Sequence, residues 1–245
     1  MKRIFLIIAI ASLFSSSCKK KEETPAAPET STVTDIDNNT YKTVKIGNQW
    51  WMAENLKTKT YRNGRPITQV TINDPDSTWA TITTGAYCSY FYDNTNEKTY
   101  GLLYNWYAVN DTGNIAPAGW HVPSDDEWKT LEKYLGMSDA NANAVNWRGT
   151  DEGDKLKIAA PLGWTTYGTV WATNESGFTA LGSCCRLFNG TWGDPGTFAT
   201  GFWWATTTHP SNNQAWYRYL DYKNSNVFRY YGSKNYGMSI RCVKD

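Results

Sequence analysis

Tyr100–Leu135, YGLLYNWYAVNDTGNIAPAGWHVPSDDEWKTLEKYL, is the stretch whose reading decides the fold. An aromatic, turn-rich run leads through Gly119-Trp120-His121-Val122-Pro123 to the start of a helix. Ser124 can cap that helix while Glu127, three residues on, reaches back to the cap, and Pro123 stands just outside. Trp128, Leu131 and Leu135 follow at helical spacing on one face, and Gly136 stops the element. The spacing predicts one helix over Ser124–Leu135 with its apolar face in a core. Asp125, Asp126 and Glu127 fall in its first turn, where the macrodipole favours negative charge, so they read as structural.

To the N-terminal side, Tyr41–Ile46 alternates, Gly47-Asn48 turns, and Gln49–Met52 returns as a second strand. Asn63-Gly64 marks another turn, residues 65–76 read as irregular or edge structure, and Ser77–Thr81 as one helical turn. Leu102–Val109 is ambiguous and leans to a short helix. To the C-terminal side, Asn141–Thr173 reads as polar loop with Leu156 and Ile158 as strand anchors. Phe202–Thr206, Ala215–Leu220 and Val227–Tyr230 then read as a strand meander, closed by Ser239–Val243.

Five segments together carry a resemblance: Tyr100–Leu135, DIDNNTYKTVKIGNQWWMAENLK from Asp35, GAYCSYFYDN from Gly85, TNESGFTAL from Thr173, and GMSIRCVKD from Gly237. In this order they resemble the Fibrobacter succinogenes major paralogous domain, a module of lipoproteins and surface proteins of Bacteroidota and Fibrobacterota. The family in turn is similar to C-type-lectin-like and sulfatase-modifying-factor folds. The resemblance implies an α+β, C-type-lectin-like fold over residues 35–245, with small twisted antiparallel sheets, one or two helices and long loops. Fold and function remain separate questions.

Lys2 and Arg3 precede an apolar run, Ile4–Leu13, then Ser15-Ser16-Ser17 and Cys18. That is the pattern of a signal peptide over residues 1–17, too short in its apolar part to span a bilayer. Cys18 sits as the lipidated cysteine of a lipobox does, although Ser15 stands where Leu or Val is usual. Residues 18–34 then read as the lipidated cysteine and a flexible tether, because Lys19–Thr34 lacks the apolar surface to offset ordering. Lys19 rather than Asp follows the cysteine, so the expected location is the outer membrane, lipid-anchored and facing either side.

Removing residues 1–17 takes Lys2 and Arg3 from the 24 basic residues and leaves all 23 acidic ones. This near-neutral balance gives no footprint for nucleic acid. Thirteen Trp and sixteen Tyr are far above ordinary usage; many build the core, and the rest are material for ligand contact. His121 and His209 are the only histidines and neither has a neighbour at ligand spacing, so no metal site is expected. Asp151, Glu152 and Asp154 surround Gly153 without an EF-hand spacing. No cofactor is expected.

Cys88, Cys184, Cys185 and Cys242 lie beyond Cys18, and an even count in an envelope compartment favours disulfides. A bond between adjacent Cys184 and Cys185 closes a strained ring. The lectin-like resemblance implies a Cys88–Cys242 disulfide, with Cys184 and Cys185 left as thiols or one of them taking Cys242 instead. Formylglycine-generating enzymes hold copper on two cysteines, but Cys184-Cys185 precede the Trp203 strand, which departs from that pattern. The Glu-Pro-Asn and Gln-Pro-Asp calcium motifs of sugar-binding lectins are also absent, so calcium-dependent sugar binding is not implied.

In lectin-like folds the long loops between the later strands form the binding surface. Here those loops supply Arg186, Trp192, Asp194, Asn212 and Asn213, with Trp216 and Arg218 following. Trp192, in a turn between Gly190 and Gly193, is expected to stand exposed; Trp203 and Trp216 read equally well as core-facing. The functional expectation is a non-enzymatic surface lipoprotein that binds glycan or protein, in adhesion or nutrient capture. A structural envelope module without a small ligand is the alternative, and an enzyme the least expected reading.

Overall fold

The computed structural model describes residues 27–159, 164, 172–193, 199–211 and 213–245. In chain order the elements are β1 (Thr30–Thr34), β2 (Thr40–Ile46), β3 (Gln49–Met52), β4 (Thr68–Gln69), α1 (Asp76–Thr81), β5 (Ala86–Cys88), α2 (Glu97–Tyr100), β6 (Leu103–Tyr104), α3 (Trp106–Val109), β7 (Trp120–His121), α4 (Asp125–Tyr134), α5 (Asp139–Asn143), β8 (Asn146–Arg148), α6 (Glu152–Leu156), β9 (Thr200–Thr208), β10 (Gln214–Asp221), β11 (Val227–Ser233) and β12 (Val243–Lys244). The architecture is mixed α+β: small, mostly antiparallel sheets with few helices. Among the described residues the sheets run β1-β2-β3-β12-β7, β8-β11-β10-β9 and β4-β5-β6.

α4 forms as its sequence dictates. The Ser124 side chain accepts from the Glu127 N–H at 3.2 Å, and Glu127 accepts from the Ser124 N–H at 2.7 Å. Trp128 and Leu131 are buried beneath it, packed with Trp51, Phe178 and Trp203. Trp51 and Trp128 lie 4.9 Å apart, centroid to centroid, and such pairs add about 0.5–1.5 kcal/mol beyond area burial. β2 and β3 pair as the alternation predicts, with the turn at Gly47 in the left-handed region (φ 60°) that favours glycine.

Four expectations are corrected. The tether ends earlier than Thr34, because Thr30–Thr34 pairs antiparallel with β2. The residues 30–34 are β-branched or Ser, and an edge strand needs backbone bonds rather than a buried face; four of its five residues are exposed. The 141–173 region, read as loop, contributes α5, β8 and α6, and Leu156 closes a helix rather than anchoring a strand. The C-terminal strand does not close the meander as a neighbouring strand. Val243 pairs with Trp51 and His121 in the N-terminal sheet, and only an isolated bridge links Ser239 to Trp203.

The fourth correction concerns Cys88 and Cys242, which are free and buried. They lie in separate hydrophobic clusters, Cys88 among Trp79, Tyr90 and Leu103, and Cys242 with Tyr41, Met52 and Ile240. Burial pushes the Cys88 thiol up to about 12. Next to Cys242 in the chain, the fully buried Arg241 donates to Asn55 Oδ1, Met52 O, Phe178 O and Thr179 O at 2.6–3.0 Å. Burial lowers its pKa to about 9, since its bonds go to neutral oxygens.

Candidate functional site

The β8-β11-β10-β9 sheet alternates along its strands, apart from a register shift between Ala215 and Tyr217 where β10 meets β9, so each strand supplies both of its faces. On one face Arg148, Arg218 and Arg229 project towards α4. Arg218 and Arg229 are direct cross-strand partners, a like-charge pair that is unfavourable alone. Asp125 resolves it: Oδ1 accepts from Arg218 Nη1 at 2.8 Å and Arg229 Nε at 2.9 Å, and Oδ2 from Arg229 Nη2 at 2.7 Å. Two helical turns on, Glu132 accepts from Arg218 Nε at 2.5 Å and from Arg148 Nη2 at 2.8–2.9 Å. All five side chains are buried. Burial alone would raise the Asp125 pKa, but Arg229 and Arg218 hold its carboxyl far below the usual carboxylate range.

Arg218 therefore sits in the helix-to-sheet joint and not on a binding surface. Trp216 shares that face, half-buried, with the Arg229 guanidinium 3.6 Å above its ring and Tyr231 packed edge-on at 5.2 Å. His209 stacks on Tyr231 at 3.7 Å. Trp203 is buried here as well. Asn213 is exposed. Cys18, Asp194 and Asn212 lie outside the described residues.

Arg186 is fully buried too. Its guanidinium lies 4.7, 4.9 and 5.7 Å from the ring centres of Trp79, Tyr92 and Trp192, and its Nε donates to Gly190 O at 3.0 Å. Trp192 is half-buried rather than exposed, because it stacks on Phe91 at 4.8 Å and roofs Arg186. Phe91 and Tyr92 both take left-handed backbone (φ 52° and 57°), a strain held by this cluster.

The opposite face of the same sheet is aromatic. Trp147, Phe228, Tyr219 and Phe202 stand in register across all four strands. Their neighbouring ring centroids lie 5.2, 5.6 and 4.5 Å apart. A second row, Tyr230, Tyr217 and Trp204, runs beside it. Trp204 and Ala215 anchor this face to the core, while Trp147, Phe228, Tyr219, Phe202, Tyr217 and Tyr230 stay half-buried. Gly232 allows Tyr236 to close on Tyr217, since a Cβ there would meet both rings at 3.1–3.3 Å. Phe188 packs on Tyr236 at 5.7 Å and is 51% exposed.

Sequence reasoning missed this row. The signal was the alternation in Ala215-Trp216-Tyr217-Arg218-Tyr219-Leu220 and Val227-Phe228-Arg229-Tyr230, which puts the arginines and most of the tyrosines on opposite faces. The strand register that aligns Trp147 and Phe202 with them is not written in either segment.

His121, expected to be structural, is held from both sides: Nδ1 meets Asp245 Oδ1 at 2.6 Å and Nε2 meets Glu127 Oε1 at 2.7 Å. Among the described residues no three His, Cys, Asp or Glu side chains gather as a metal site. No helix among them is long and apolar enough to cross a membrane.

Residues 44–244 match the Fibrobacter succinogenes major domain, and that span covers most of the chain. The chain belongs to this family. No curated protein and no solved structure matches it. In this Fibrobacter succinogenes major domain, the matched span includes α4, all four strands of the two-faced sheet and β12.

Proposed function

We propose that this chain is a surface lipoprotein, held at the outer membrane through lipidated Cys18, whose domain has a C-type-lectin-like fold and binds a glycan or protein ligand without catalysis. The carrying observation is the half-buried aromatic row Trp147–Phe228–Tyr219–Phe202, extended by Tyr217, Tyr230, Tyr236 and Phe188. Exposed aromatics in bulk favour partners with apolar ring faces or apolar side chains, and large rings lose little entropy on binding. The rigid joint behind the row, through Asp125 and Glu132, fixes the face before any ligand arrives. The relationship to sulfatase-modifying-factor folds belongs to the same proposal.

The test is a screen of the full chain in detergent against arrayed glycans and matrix proteins, run beside Tyr219→Ala and Phe228→Ala. Capture by the parent protein and its loss in both variants is the expected result. The burial of Trp51, Trp79, Trp128, Trp203 and Trp204 favours a second reading, a structural envelope module. That reading expects no capture by any of the three proteins.

A further inference from the structure

The aromatic face narrows its own ligand. Tyr219 and Phe202 stack on each other at 24° and 4.5 Å, Phe228 stands edge-on to Tyr219 at 86°, and Trp147 is inclined 64° to Phe228. Ring faces are thus taken up by neighbouring rings, and solvent meets ring edges and the clefts between them. A pyranose lies flat on an open ring face and needs polar side chains to bond its hydroxyls. Neither is offered. The arginines of these strands turn to α4. Asp221, two residues beyond Tyr219 on the aromatic side, is held by its own turn: it accepts from the Lys223 and Asn224 N–H groups and from the Asn224 side-chain amide at 2.8–2.9 Å. Apolar ring edges without a free charge suit a polypeptide better than a sugar.

Size and backbone select the kind of polypeptide. Aromatic residues carry about 150–250 Å² each and most of that is covered here, so the face leaves on the order of 400 Å² open. A stable interface between folded proteins takes about 800 Å² from each partner. The face is too small to hold a second copy of this chain and suits a short segment. A strand cannot be added at the Phe202 end, because the outer backbone of β9 is already bonded. Thr200 O accepts from the Cys184 N–H, and the Trp204 and Thr206 N–H groups donate to Ser239 O and Pro123 O, at 2.8–3.2 Å. At the other edge β8 has three residues, the short kind of edge that resists pairing.

A polyproline II helix needs neither a strand edge nor a deep groove. It makes no internal hydrogen bonds, so its carbonyls are open to donors, and aromatic-lined surfaces recognise it. The Tyr217 and Tyr236 rings, brought together over Gly232, carry hydroxyls beside the row. The repeat also fits. Three residues of such a helix advance about 9.3 Å, close to two strand spacings of ~4.8 Å. Prolines three apart therefore fall at alternate strands of the row. The four strands span roughly 14 Å, the length of about five residues in this conformation.

Resting on the reading that this face is a ligand site, we propose that its occupant is a proline-rich polypeptide segment in the polyproline II conformation.

The experiment is calorimetric titration of the full chain in detergent with a proline decapeptide, beside a glycine-serine decapeptide, a leucine-rich amphipathic helical peptide, and cello- and xylohexaose. The proline peptide is expected to bind about tenfold or more tightly than each of the others. Tyr219→Ala should weaken it by a similar factor. Tyr236→Phe keeps the ring, and should weaken it about fivefold, as one hydrogen bond supplies, with an unchanged melting temperature. His121→Asn, away from the face, should leave it unaltered. Proline-peptide binding no tighter than the controls, or indifferent to both tyrosine variants, would overturn the proposal. If the proline peptide fails while the glycan and matrix-protein screen gives capture that Tyr219→Ala abolishes, the partner is wrong and the ligand site stands. No capture in either experiment would overturn both.

Discussion

The two faces of the β8-β11-β10-β9 sheet are made by the same strands, residue by residue, yet they handle burial in opposite ways. On the α4 side three arginines are taken out of water and matched by Asp125 and Glu132. On the other side Trp204 and Ala215 are buried against the core and the remaining aromatic rings are left half in water. The first arrangement is unforgiving, because removing one member of a buried ionic set strands the others without compensation. The second tolerates change, since each aromatic cross-strand pair contributes only about 0.2–1 kcal/mol. A row of large, contiguous aromatic rings left half in water has its best explanation in what it touches.

The largest effect should come from Glu132→Ala, which leaves Arg148 and Arg218 facing an apolar gap. A loss of about 3–5 kcal/mol in denaturant unfolding is expected. A loss under about 1 kcal/mol would mean that the charged face is no more demanding than a surface ion pair. Asp125→Asn should act similarly and also change the acid response. Asp125 is held below its ordinary pKa of 3.8 in the fold, so its contribution is present above that value and disappears as pH falls towards the folded pKa. Melting curves below about pH 4 should fall more steeply for the parent protein than for Asp125→Asn.

Next in size, Phe228→Ala, which removes three ring contacts, should lower stability by about 1–3 kcal/mol while abolishing capture in the screen. The smallest effect is at His121. Burial opposes its protonation, but the hydrogen bonds to Asp245 and Glu127 outweigh this and raise its pKa above 6.5. The stabilisation is complete below 6.5 and is lost as pH rises through the folded pKa. The imidazole is 38% exposed, so solvent screens the effect to a small downward drift of the melting temperature above that pH. His121→Asn should remove the drift.

How far the sequence could be read follows from which interactions are local. The α4 cap needs only Ser124 and Glu127, three residues apart, and the β2–β3 hairpin needs an alternation and a Gly47 turn; both are legible. The meander strands are legible for the same reason. α5 (DANAN) and α6 (EGDKL) are one-turn helices without an apolar stripe; Ser138 caps α5, but α6 has no side-chain cap to mark its start. Val243 joins the N-terminal sheet through partners 122 and 192 positions away, and no segment records that choice. The binding candidates failed for a related reason: Arg186 and Arg218 look like surface cations until the rings and carboxylates around them are known. Asp125 and Glu132, seven apart on one helix face, were the available sign that buried cations lay opposite.

The most direct test pairs two measurements on Tyr219→Ser: its unfolding free energy, and its affinity for the ligand that the parent protein captures. The two-face account predicts a stability loss of no more than about 3 kcal/mol, the most that the three ring contacts of Tyr219 supply, with affinity reduced tenfold or more, corresponding to about 1.4 kcal/mol of binding. Unchanged affinity in a folded Tyr219→Ser protein would contradict it and leave the aromatic row as packing alone.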